Sequence, residues 1–162
     1  MREFLVSFPR WDTYGITPSR GFFNTITQIS PDWFQSTSDV SQLSLQSIGS
    51  EIIRETSEPT YHGDVLGRTE VKRQYNYLFQ LLQHSGTAAE RADTSAFLDD
   101  YTNWVDEMNI NRKIPILGDD PLEERLWVTG AAFLAEWEGQ PASVYTMSIH
   151  NIRTKIYETE EY

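Results

Sequence analysis

The sequence predicts an α+β domain: a two-layer arrangement in which a mostly antiparallel sheet of about four strands is packed by one long amphipathic helix, with short N-terminal helical segments. Three observations predict it. One segment, 87–109, repeats apolar residues every three or four positions. Four others, 43–55, 71–84, 124–137 and 143–157, are strand-like runs bounded by Gly, Pro and Ser. The chain has 162 residues, 39% of them hydrophobic, enough for one domain of 1–162 with a core of its own.

The first forty-two residues are punctuated by Pro9, Gly15, Pro18, Gly21 and Pro31. Short apolar clusters lie between the breaks: Phe4-Leu5-Val6, and Phe22-Phe23 with Ile26 and Ile29, the latter at helical spacing. Pro31 ends that cluster, because a residue before proline avoids the helical region. The serine-rich 35–42 reads as a loop. Residues 43–55 read as a strand with an irregularity at Gly49, and 56–70, with Pro59, Gly63 and Gly67, as a long projecting loop.

In 71–84, Val71, Tyr75, Tyr77, Phe79 and Leu81 share one face, interrupted by Arg73, and Lys72, Gln74, Asn76, Gln80 and His84 share the other. This predicts a strand with one fully buried face and a second that is partly covered. In the helix, Thr87 and Glu90 have capping-box spacing. Phe97, Leu98, Tyr101, Trp104, Val105 and Met108 form the apolar stripe, and Asp99, Asp100, Asn103, Asp106 and Glu107 the polar face. Arg112 and Lys113 follow the helix end, where its dipole favours positive charge. A connection with Pro115 and Pro121 leads into two strands joined by Glu138-Gly139-Gln140-Pro141, a hairpin signal. The tail 158–162 reads as frayed.

Charge and composition narrow the function. There are 13 basic and 24 acidic side chains, a net charge of −11, and no cysteine. The imbalance is concentrated after residue 86, where 6 basic residues face 15 acidic ones. An acidic surface repels phosphate, which disfavours binding of nucleic acid. Zero cysteine excludes disulfides, thiol catalysis and thiolate metal sites. Apolar runs are too short to span a membrane, and the N-terminal one is too short for a secretory signal. His62, His84 and His150 have no metal-ligand spacing, and the acidic pairs from Asp99-Asp100 to Glu123-Glu124 read as surface. With no phosphate loop, dinucleotide or nucleophile-elbow motif, the chain reads as a non-enzyme without cofactor or metal. A small acidic domain with a long loop and a long hairpin suits an assembly subunit.

Four stretches, in order, resemble a known family. They are Gly67-Arg68-Thr69-Glu70 after its strand and polar loop; Arg73-Gln74-Tyr75-Asn76-Tyr77-Leu78-Phe79-Gln80-Leu81-Leu82; the acidic, Trp-bearing helix around Asp99-Asp100-Tyr101-Thr102-Asn103-Trp104 with Lys113-Ile114-Pro115-Ile116-Leu117-Gly118 after it; and the closing pair around Val128-Thr129-Gly130 and Val144-Tyr145-Thr146-Met147-Ser148-Ile149. Together they resemble the tail-terminator (minor capsid, tail-completion) family of long-tailed bacteriophages. The resemblance implies a virion protein, assembled in the host cytoplasm, that forms a homohexameric ring. The ring would cap the tail tube, end its polymerisation and join the tail to the head-side connector. It implies no cofactor and a channel through which DNA passes without specific binding. Two alternatives stand beside it: another neck or head-completion connector subunit, and a small ligand-binding or enzymatic domain. On the ring reading, Tyr61, His62, Asp64 and Arg68 of the long loop are expected at subunit or partner contacts. Asp119, Asp120, Glu123 and Glu124 are expected to line the channel.

Overall fold

Apolar side chains at both ends of one layer set the core. In a computed structural model, which describes residues 1–14, 18–23, 41–58, 66–84, 88–136 and 142–160, helix α1 (Arg2–Val6) and the following turn carry Leu5, Phe8 and Trp11 into the interior. They meet Phe97, Leu98, Tyr101, Trp104 and Val105 of helix α2 (Ala88–Ile110). Phe4 stacks on Trp104 at 4.9 Å, and Phe8 packs among Trp11, Phe97, Tyr101 and Trp104. Two buried donors are satisfied in the same layer: Tyr101 donates to the Leu5 carbonyl at 2.8 Å, and the Trp11 indole to Val6 at 2.8 Å. Rings at these distances attract beyond their burial, so this aromatic layer binds the chain's start to its middle.

The layer covers one face of a sheet. Strands β1 (Pro18–Phe23), β2 (Ser41–Glu58), β3 (Leu66–His84), β4 (Arg125–Glu136) and β5 (Ala142–Glu160) form five strands in the order β1-β2-β3-β5-β4. Neighbours among β2, β3, β5 and β4 pair antiparallel, and β1 is parallel to β2. The fold is therefore mixed α+β. Register aligns the buried face: Leu45, Phe79 and Met147 form one row, and Leu81 and Tyr145 sit in the next. Phe79 stacks on Tyr101 at 5.8 Å, joining sheet to helix.

Several expectations change. Phe22 and Phe23 belong to β1, opposite Leu43 and Ser44, and not to a helical cluster; pairing with β2 overrides local spacing. Ile26 and Ile29 lie outside the described residues, as does the capping residue Thr87. The buried and exposed positions of α2 follow the expected faces from Ala96 to Ile110, while the side chains of 88–95 lie outside the description. The long loop 56–70 is mostly strand: β2 runs on to Glu58 and β3 begins at Leu66, with Glu58 opposite Arg68. Residues 158–160 pair with β3 and are not frayed. Among the described side chains of 71–84, Phe79 and Leu81 are fully buried and those from Val71 to Leu78 are half-buried, because the aromatic layer covers only one end of the strand. Gly49 is irregular as expected, with φ of 116° at a register shift, a conformation that glycine adopts without steric penalty.

Helix α2 ends in a Schellman turn. Lys113 N–H donates to Met108 and Arg112 N–H to Asn109, with Arg112 at φ 55° where glycine is usual.

Candidate functional site

The strands outrun their cover. Pairing of β4 with β5 begins at Arg125 opposite Ile152, so the far halves of β2, β3 and β5 form a three-stranded arm without β4. Along the arm, Arg54, Lys72 and Thr154 stand in one cross-strand row. Glu123 lies over that row. It accepts from the Thr154 hydroxyl at 2.8 Å and from Arg54 at 3.2 Å, and pairs with Lys72 at 3.4 Å. The Thr154 hydrogen bond, then Arg54 and Lys72, hold the Glu123 carboxyl below its ordinary value of 4.5. One carboxylate thus fastens three strands.

The connection before Glu123 docks on the same arm. Asp119 N–H donates to the Thr154 carbonyl at 2.8 Å, and the Asp119 carboxylate accepts from Ile156 N–H at 2.9 Å. That amide, with Lys155 at 3.5 Å, lowers the Asp119 pKa. Asp120 accepts from Leu122 N–H at 3.0 Å. Glu124 is only 1% exposed. Its carboxyl accepts from Leu117 N–H at 3.1 Å, from Gly118 N–H and from Asn151 at 3.0 Å. A Cβ on Gly118 would stand 2.7 Å from the Thr154 carbonyl, so only glycine lets the connection approach β5 this closely.

These contacts correct the channel expectation for Glu124 alone, which is buried, while Asp119 is exposed and Asp120 and Glu123 are partly so. Glu124 is buried and faces protein amides; Glu123 is bound to Thr154, Arg54 and Lys72; Asp119 and Asp120 serve backbone donors. The four residues do come together, but as fasteners of a proline-containing connection whose amides need acceptors. Of the expected contact residues, Tyr61, His62 and Asp64 lie outside the described residues. Arg68 is in β3, in register with Glu58 and Glu158, and its guanidinium pairs with Glu70 at 2.6 Å.

The sheet face opposite the helix holds a polar group that the sequence did not reveal as a unit. Asn76 Oδ1 faces His150 Nδ1 at 2.6 Å and accepts from Gln74 at 2.9 Å. An amide oxygen only accepts, so Nδ1 donates and Nε2 accepts from Thr129 at 2.6 Å. Trp127 stacks on the ring at 5.3 Å, and burial lowers the His150 pKa. His150 is thereby a satisfied, neutral side chain at neutral pH. Among the described residues no group of three His, Asp or Glu side chains is placed to hold a metal ion, and no helix is long and apolar enough to cross a membrane.

The exposed apolar side chains lie elsewhere. Ile48, Ile52 and Ile53 are about half exposed on β2, and Tyr157 is so on β5. Ile110 and Leu122 are exposed at the helix end and its connection, where Arg112 donates to the Leu122 carbonyl at 3.3 Å. In comparisons with known proteins, no family model and no curated protein matches the chain.

Proposed function

We propose that this chain is a structural assembly subunit, and that it acts as a tail terminator: about six copies close into a ring that caps a phage tail tube, stops its growth and presents a surface to the head-side connector. The observation that carries the reading is the arm. Three long strands extend beyond β4 and are fastened from within by Glu123, so the arm is held in shape before any partner arrives. Ile110 and Leu122, at the helix end and its connection, are exposed apolar side chains that a neighbouring subunit would cover. The order of the four resembling stretches supports the choice of family. In this reading α2 packs on the sheet as one long amphipathic helix. The acidity of the whole ring, with Asp119, Asp120 and Glu123 but not the buried Glu124 facing the channel, denies passing DNA a foothold.

The test is to mix the purified protein with polymerising tail-tube protein and image the products by electron microscopy. Rings at tube ends and a halt in growth are expected. A protein that binds the head portal but no tube end would make it a connector subunit. One that leaves tube growth unchanged and binds neither would contradict the assembly reading.

A further inference from the structure

We propose that β2 is a self-association edge, through which two copies of this chain meet antiparallel about a two-fold axis at Ile52 and Ile53. The backbone permits it. Strand β1 pairs with β2 only as far as Ser44, and among the described residues no strand lies beyond β2 after that point. Every side chain from Gln46 to Ser57 is exposed, Ile52 and Ile53 by 51% and 46%. An edge with unpaired amides and carbonyls and exposed β-branched residues is a template for another strand.

The occupant is named by charge order. Glu51-Ile52-Ile53-Arg54 reads acid, apolar, apolar, base. Laid antiparallel on a second copy, it sets each Glu51 opposite the other copy's Arg54, twice by symmetry, with the isoleucines between them. In a regular strand, residues three apart point to opposite faces. Here the register shifts between Ile52 and Arg54, so that Glu51 lies opposite Gln74 and Arg54 opposite Lys72. Gln74 and Lys72 are two apart on β3 and share a face, so Glu51 and Arg54 share it as well. An irregularity of this kind commonly blunts an edge; in β2 it aligns the two charges. Arg54 is half exposed while it pairs with Glu123, which leaves guanidinium donors for a second carboxylate.

This contact does not need the ring, whose contacts are head-to-tail. The chain has no cysteine, so Ile53→Cys introduces a single thiol. Mild oxidation should link most of that variant into dimers. Ile48→Cys is the control: its two copies would lie ~30 Å apart along the paired strands and should not link. By sedimentation equilibrium, Glu51→Arg should weaken dimerisation about tenfold, and Glu51→Arg combined with Arg54→Glu should return it to within about threefold of the original. Circular dichroism and a cooperative melt confirm that each variant is folded. Ile53→Cys linking no better than Ile48→Cys, or a double variant as weak as Glu51→Arg, overturns the contact. Rings at tube ends without Ile53→Cys links would overturn this contact alone, and linked dimers without rings would overturn only the terminator reading.

Discussion

Asp100 accepts two bonds from Arg10, at 2.6 and 2.8 Å, and one from the Tyr14 hydroxyl at 2.7 Å. A residue on the helix's polar face therefore ties α2 to the N-terminal segment. The sequence places Asp100 on that face but cannot show its partners, which lie 86 and 90 residues away. Asp100→Ala should cost on the order of 1 kcal/mol, above the scatter of free surface sites but limited by solvent around Arg10. Arg10 and Tyr14 lower the Asp100 pKa from its ordinary 3.8. The folded value is the lower one, so the stabilisation is present above about pH 4 and is lost as pH falls through the depressed value. Acid melts of the two proteins should therefore converge at low pH. Trp104, 6% exposed and stacked on Phe4, is a core residue, and Trp104→Ala should cost about 3–5 kcal/mol by thermal or denaturant unfolding. Equal melting temperatures for the two variants would show that the faces of α2 are misassigned.

At the scale of elements, the arm and its connection form one unit. Glu123→Ala removes the group shared by Arg54, Lys72 and Thr154. Amide exchange should accelerate along 52–58, 68–74 and 153–158, while amides at Phe79, Leu81 and Met147 keep their protection. Uniform acceleration would mean that arm and core open together. Glu124→Ala strands the amides of Leu117 and Gly118 and should cost about 2–4 kcal/mol, read from denaturant melts. A cost below about 0.5 kcal/mol would show the connection to be loosely held. The strands beneath the helix were legible because one face is apolar and the other polar: Phe79 and Leu81, Tyr145, Met147 and Ile149 alternate as buried strands do. The tip of the arm was not. Thr56-Ser57 and Arg68-Thr69-Glu70 have no apolar alternation, because both their faces meet water or charge, so polarity read as a loop. Only cross-strand register reveals Glu123 over its row, and register is a non-local property. Phe8 and Trp11 escaped the core reading for another reason: Pro9 stands between them and breaks any helical period.

The whole molecule carries −11, and about six copies in a ring would carry about −66. Like charges facing one another oppose closure, so assembly should strengthen as salt rises to about 0.15 M, where the Debye length is ~8 Å. Stronger assembly at low salt would mean that attractive ion pairs hold the ring. The acidic half of the chain also contributes inside the fold, since Asp100, Glu123 and Glu124 each bind partners within the monomer. Charge counting from sequence treated these as outward-facing; burial reassigns Glu124, and hydrogen bonds and ion pairs hold the partly exposed Asp100 and Glu123. Among the described residues, β2 after Ser44 is an open edge beside a packed core. The most direct measurement is native mass spectrometry of the 18.8 kDa chain at moderate ionic strength, with and without tail-tube protein. The account predicts a closed species of about six copies, ~113 kDa, that remains bound to short tube assemblies. A chain that stays monomeric at every concentration and salt, and binds no tube protein, would contradict it.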